Sequence, residues 1–290
     1  MTSIPEIFRE IPCGRFVYDL RVHANSSLPI SIDGAPLSSL PPEVGEGFPV
    51  VLIARPPDAA APVPGDENDA LPSERVRLAL LWIAPDLRGE GQQSAVPAEI
   101  VEQVGKMLMD VHAVSSAIEE LGELATSRGL QIQASVIELA AGGVGEAGGL
   151  DDETLERILP KRFHAALAEE RAREATLAYV QVCTAGLPPL VHVHSGGIIF
   201  PIRSWVPAGL YPDWQPLCQS IECEVGDRLI VHTELKAPVA AAGLKQFHQS
   251  LQSGEGDWSL FQEAGDGAIA TRAALELRIV LPAGQDDVGE

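Results

Sequence analysis

The residues with the clearest potential for chemistry come in two pairs. PLVHVHSGG sets His192 and His194 one residue apart, and LIVHTEL does the same for His232 and Glu234. A strand sends alternate side chains to opposite faces, so each pair points one way, close enough to share a ligand. Two such strands paired side by side would present three imidazoles and one carboxylate to one cavity. That donor set holds iron, manganese, zinc or copper with positions left open for a substrate. The expected metal ligands are therefore His192, His194, His232 and Glu234, with a transition metal ion as the cofactor. The competing expectation places both pairs on the wet face of a half-buried antiparallel sheet, with Val191, Val193, Val231 and Leu235 turned inward.

Other motifs are less complete. Gly186 to His194 resembles the G-x5-H-x-H opening of the cupin metal motif, which implies two imidazoles on one strand at a barrel mouth, but Ile198 and Ile199 stand where that motif carries its glutamate. Gly143, Gly145 and Gly148 spell a G-x-G-x-x-G between a strand and a helix. Glu146, Asp151, Asp152 and Glu153 would put carboxylates where a pyrophosphate must sit, so a hinge is the better account. No GxxxxGK is present, and Ser195 lacks the G-x-S-x-G elbow. Cys183, Cys218 or Cys223 beside His194 would make a thiol–imidazole pair, yet none has a recognisable nucleophile context, and buried structural cysteine is expected. The 4 cysteines include no CxxC, so neither a disulfide framework nor a zinc ribbon is implied; Cys218 and Cys223 come nearest to a pair. Trp205, Trp214 and Trp258 with Tyr211 either cover the end of a sheet or form a recognition surface.

Composition narrows the partners. A formal net charge of -21, from 41 acids against 20 Lys plus Arg, repels phosphate backbones and anionic headgroups, so neither nucleic acid nor membrane is expected. A basic protein partner fits this charge. The start, MTSIPEIFREIPCGRF, has no basic segment followed by an apolar one, and no later run spans a bilayer; a cytoplasmic location is the default.

The elements that must position these residues read as follows. GRFVYDLRVHA, residues 14 to 24, alternates Phe16, Tyr18, Leu20 and Val22 on one face of a strand. FPVVLIA and RVRLALLWIAP form a hairpin whose long tip, residues 56 to 74, is proline, alanine and acid. A single helix from Pro97 to about Arg128 carries an apolar stripe and ends before Gly129. QIQASVIELA is a strand, and a second helix begins at Asp151 and is kinked at Pro160. From Thr176 strands dominate, with Gly226 and Asp227 at a hairpin turn, a short helix near Val239 to Leu251, and a last strand around ALELRIVL.

The fold class expected is α+β: mostly antiparallel sheets, one long amphipathic helix packed on the N-terminal strands, and a β-dominated C-terminal half. The glycines divide the chain into an N-terminal domain, 1–141, a linker, 142–150, and a C-terminal domain, 151–290. With no catalytic motif complete, the leading functional expectation is a non-catalytic binding or assembly protein acting through protein–protein contacts. The alternative is a metal-dependent enzyme acting on a small molecule through the three-histidine, one-glutamate site.

Overall fold

A computed structural model of the chain describes residues 8–13, 16–35, 47–55, 75–85, 98–110, 113–140, 160, 177–202, 206–208, 210, 216–234, 240–263 and 270–280. The protein is α+β with two mostly antiparallel sheets. The first sheet is built from β1 (Glu10–Cys13), β2 (Phe16–Ala24), β8 (Val191–His194), β9 (Gly197–Ile199), β11 (Arg228–His232) and β12 (Ala273–Val280), in the order β1-β2-β12-β11-β8-β9. The second uses β3 (Ile30–Ile32), β4 (Phe48–Ala54), β5 (Arg75–Pro85), β6 (Leu130–Ala140), β7 (Leu177–Ala185) and β10 (Leu217–Glu224), in the order β10-β7-β6-β5-β4-β3. Among the described strands, only β3 pairs in parallel, with β4.

Each sheet is covered on both faces. Phe16, Tyr18 and Leu20 of β2, Leu275, Leu277 and Ile279 of β12, and Leu229 and Val231 of β11 meet Leu78, Ile137, Val180 and Val182 of the other sheet in one continuous core. The alternation in β2 is thus borne out: its apolar face is the face between the sheets. Helices α1 (Ala98–Asp110) and α2 (Val114–Arg128) cover the far side of the second sheet through Val104, Leu108, Ile118 and Leu121. Helices α3 (Ala240–Ser253) and α4 (Ser259–Gln262) cover the far side of the first through Phe247, Leu251 and Phe261, against Val191, Val193 and Ile230.

Two buried arginines fasten these outer helices. Arg77 on β5 donates to Glu138 on the paired strand β6 at 2.6 Å and to the Leu108 carbonyl at the end of α1 at 2.8 Å. Arg228 on β11 donates to the Leu251, Gly254 and Glu255 carbonyls at and beyond the end of α3, and lies 3.4 Å from Glu276. A cation at the last carbonyls of a helix satisfies orphan acceptors and suits the negative end of the dipole.

The structure differs from the sequence expectations at several points. The stretch from Pro97 to Arg128 is two helices, because Ala113 is extended at φ −125, ψ 145. A continuous helix there would run roughly 48 Å, while strands of 11 residues, the longest in the sheet beneath, span roughly 36 Å. Breaking the helix keeps both apolar stripes on the sheet. Gly129 ends α2 as expected, with φ 61 and its N–H donating to the Ala125 and Thr126 carbonyls. The division at 142–150 does not separate the sheets: β2 pairs with β12 and β6 with β7, so each sheet takes strands from either side of those glycines. Gly226 and Asp227 do not close a hairpin; β10 and β11 lie in different sheets, so the turn is a corner joining them. Cys183 and Cys218, direct partners across β7 and β10, form a disulfide, whereas Cys218 and Cys223 are an odd number of residues apart on one strand and face opposite ways. Cys13 and Cys223 are buried and outside this disulfide. The glycine motif, the helix from Asp151 (Pro160 apart), the tip at 56–74, and Trp205, Trp214 and Tyr211 lie outside the described residues.

Candidate functional site

His192 sits opposite Leu229 in the antiparallel pairing of β8 with β11, and paired residues share a face. Leu229 points into the space between the sheets, so His192 does too, and His194 follows by alternation. His232 lies one residue beyond Val231, which also faces between the sheets, so its side chain points the opposite way. Its ring is 5.5 Å from Phe261 of α4. Glu234 is exposed, two residues past the end of β11. The four expected ligands therefore do not converge: the structure brings His192 and His194 together, with ring centroids 5.4 Å apart, and separates them from His232 and Glu234. The wet-face alternative fares no better, since His192 and His232 are both buried and Val191 and Val193 face the outer helices. The metal reading assumed that both pairs share one face of paired strands, and the wet-face reading assumed a sheet covered on one side.

The cluster that does form lies at the corner between β10 and β11. Gly226 takes φ 96 there, and its N–H donates to the Ile279 carbonyl. The Asp227 N–H donates to the Glu224 carbonyl, while Oδ2 of Asp227 accepts the Glu224 N–H at 2.9 Å, locking the turn. The same Oδ2 lies 2.8 Å from Nε2 of His192. An acceptor carboxylate fixes the proton of a neutral imidazole on the facing nitrogen, here Nε2, and leaves the Nδ1 lone pair free. Nδ1 of His192 is buried and has no hydrogen-bond partner. Cys223, also buried, completes the group: one ligand atom each from His192, Cys223 and Asp227 lie within 4.8 Å of one another. Burial, with the Asp227 and Glu222 charges adding to it, pushes the Cys223 thiol far up, so without a cation it stays protonated.

Beside this group an open cleft of about 180 Å³ is lined by His192, His194, Ser195, Glu222, Glu224 and Asp227, with Leu177 and Ile199. His194 is half-buried, and its Nδ1 accepts the Gly196 N–H at 3.1 Å, so the neutral ring carries its proton on Nε2. Sequence reasoning found the two histidines. It weighed Cys223 only as a thiol beside His194, and it missed Asp227, whose only signal was that Gly226 and Asp227 mark a turn.

The opposite end of the sheets is closed differently. Asn25, following β2, accepts the N–H groups of Thr271 and Arg272 and donates to Oγ1 of Thr271, and Oγ1 of Thr233 accepts the Ala273 N–H. Glu234 stands at that end. Residues 86–97, which follow β5 there, lie outside the described residues. Among the described residues, His192, Cys223 and Asp227 are the one group of three or more His, Cys, Asp or Glu side chains close enough to share an ion.

The sequence matches no protein-family model and no curated protein. Solved structures do match. The RsbU and RsbW domains of Rv1364c from Mycobacterium tuberculosis are 12% identical with a TM-score of 0.50, covering 94% of this chain and 63% of that one. The fold is that of the PP2C-like phosphatases. The PP2C phosphatase domain of SpoIIE from Bacillus subtilis, with a fragment of its regulatory domain, is 11% identical at TM-score 0.44, covering 81% of this chain and 64% of that chain. The catalytic domain of the serine threonine protein phosphatase PstP, in complex with 2 manganese ions, is 12% identical at TM-score 0.40, covering 81% and 98%. This fold corrects the expectation of a non-catalytic binding or assembly protein: the scaffold is one used by metal-dependent enzymes. This chain spans 63% of the length of the Rv1364c structure. No helix among the described residues is long and apolar enough to cross a membrane.

A PP2C-like fold raises the question of a hard cation. Magnesium and manganese take mostly oxygen ligands, several of them carboxylates or waters. His192, Cys223 and Asp227 offer one imidazole, one thiol and one carboxylate whose Oδ2 is already engaged twice. These residues do not fit a magnesium or manganese pair.

Proposed function

We propose that this chain is a phosphatase-class hydrolase that removes phosphate from a monoester carried by a partner protein, with the help of a divalent cation. The observation that carries this reading is the PP2C-like fold, matched over 94% of the chain. Phosphoryl transfer is catalysed by positioning the group and neutralising charge on its oxygens. This chain is poor in groups for that task, with 20 Lys plus Arg against 41 acids. Its buried Arg77 and Arg228 are committed to Glu138, Glu276 and helix-end carbonyls. A metal ion other than a magnesium or manganese pair would supply neutralising charge that these two arginines cannot.

The cleft beside Asp227 supports a protein-borne substrate rather than a small molecule. It is open where small-molecule sites are enclosed. Glu222 and Glu224 at its rim suit a segment that is basic around its phosphorylated residue. Within it, His194, whose Nδ1 accepts the Gly196 N–H, has Nε2–H left to donate a hydrogen bond to a phosphoryl oxygen.

The test is hydrolysis of para-nitrophenyl phosphate and of phosphoserine and phosphothreonine peptides with magnesium, manganese or zinc added, against a chelated control. Turnover should require a cation and fall on the order of a hundredfold in His194→Ala, which removes a hydrogen-bond donor to the phosphoryl oxygens. Absence of turnover with every cation refutes the hydrolase. Loss in Glu234→Gln with His194→Ala unaffected would move the chemistry to the other end of the sheets.

A further inference from the structure

We infer that His192, Cys223 and Asp227 form a binding site for a soft divalent transition metal, zinc above all, which clasps the two sheets together at the β10–β11 corner. The inference stands on this geometry and does not rest on the hydrolase reading.

Imidazole nitrogen, thiolate sulfur and carboxylate oxygen are the donors zinc takes. Here they arrive from separate places: His192 from the first sheet, Cys223 from the edge strand of the second, and Asp227 from the corner between them. His192 and Asp227 are 35 residues apart in sequence, so their meeting is a product of the fold and not of local chain geometry. All three are buried, with relative exposures of 4%, 0% and 6%. Burying polar groups is costly unless each finds a partner. Only part of that need is met. Asp227 takes the His192 Nε2–H, but the Nδ1 lone pair has no partner, and the thiol reaches only the Ile221 carbonyl at 3.9 Å.

A metal ion supplies the partner that the thiol lacks. On binding, the Cys223 thiol releases its proton to solvent and coordinates as the thiolate, while His192 carries its proton on Nδ1 and coordinates through Nε2, the nitrogen that faces Asp227. Bond lengths of about 2.0–2.3 Å set ligand atoms roughly 3.3–3.8 Å apart around a tetrahedral zinc. The present spread of up to 4.8 Å closes to that by about an ångström of side-chain movement. The adjoining cleft, with His194 and Glu224 on its wall, supplies a fourth ligand or a water.

The experiment uses the full chain purified without an affinity tag and kept with its Cys183–Cys218 disulfide intact. Zinc content is measured by mass spectrometry, and cobalt(II) is titrated into metal-free protein. One equivalent of cobalt should produce a thiolate-to-cobalt charge-transfer band in the near ultraviolet. Cys223→Ser should abolish the band, His192→Ala should weaken cobalt binding at least tenfold, and Cys13→Ser, at the other cysteine outside the disulfide, should leave the spectrum unchanged. Far-ultraviolet circular dichroism verifies folding, and Asp227→Asn replaces any variant that fails to fold, with weakened binding again expected. Failure to bind cobalt, or an unchanged band in Cys223→Ser, overturns the site. Cobalt binding without phosphatase turnover would retain this site and remove the hydrolase; turnover without cobalt binding would do the reverse.

Discussion

His232 makes stability depend on pH in a calculable way. Its ring is fully enclosed between β11 and α4, and Nδ1–H donates to the Thr233 carbonyl at 2.9 Å. Burial lowers its pKa from 6.5 to about 4; the hydrogen bond opposes that shift and the nearby His248 adds to it. Because the folded value lies below the unfolded one, the unfolded chain takes up the proton first as pH falls. The contribution is therefore complete above the unfolded value of 6.5 and is lost as pH drops toward 4. At about 1.4 kcal/mol per unit, the full effect is about 3 kcal/mol, of which about 2 kcal/mol falls between pH 7 and pH 5. Urea unfolding at pH 7, 6 and 5 should show this loss in the native protein. His232→Leu, which fills similar space and cannot titrate, should be flatter by about 2 kcal/mol. His248, also lowered by burial, is common to both proteins and cancels. Glu276 acts at lower pH: burial raises its carboxyl, but the His23 ring 3.6 Å away and the Arg228 charge outweigh it. The net value is below 4.5, so its contribution fades only as pH falls through that lower range. Parallel pH curves for native protein and His232→Leu would refute the argument.

Removing Arg77 alone should be costly, since Arg77→Met leaves Glu138 buried without its cation and the Leu108 carbonyl without its donor. A loss of roughly 3–5 kcal/mol in denaturant midpoint analysis is expected. Much of it should return in Arg77→Met combined with Glu138→Leu, and no recovery in the double variant would contradict the ion-pair account. Gly186→Ala should destabilise by roughly 1–3 kcal/mol, because Gly186 takes φ +74 and an added Cβ would stand 2.8 Å from Cα of Pro207. A calorimetric melting temperature equal to that of the native protein would show that the Pro207 segment yields without strain.

Much of the scaffold was legible in the residues. The alternation of Phe16, Tyr18 and Leu20 marked the inward face of β2, and the β4–β5 hairpin, β6, β7, α3 and β12 all lie where the pattern placed them. Periodicity carried this because burial is periodic in regular elements. What it could not convey is which sheet a strand joins. The same Gly226-Asp227 signal marks a hairpin or a corner, and only long-range pairing decides between them. The site suffered from the same gap. His192 and His232 share a spacing and lie on neighbouring strands, but their register sets them on opposite faces. A sheet covered on both sides has no wet face for alternation to reveal, so buried polar residues such as His192, Asp227 and Glu276 look in the sequence like surface ones. Cys223 and Asp227 were invisible as partners of His192 because nothing local links them.

The pairing of β2 with β12 also fixes a timetable. Asn25 and Thr271, which meet at the rim of that pair, are separated by 246 residues. At a synthesis rate of about 5–20 residues per second, the ribosome needs roughly ten to fifty seconds to deliver the missing neighbour. Through that interval Tyr18 and Leu20 have an open hydrogen-bonding edge and no lid. A nascent chain held in this condition is a natural client for chaperones, and slowing translation should lower the yield of native protein rather than raise it.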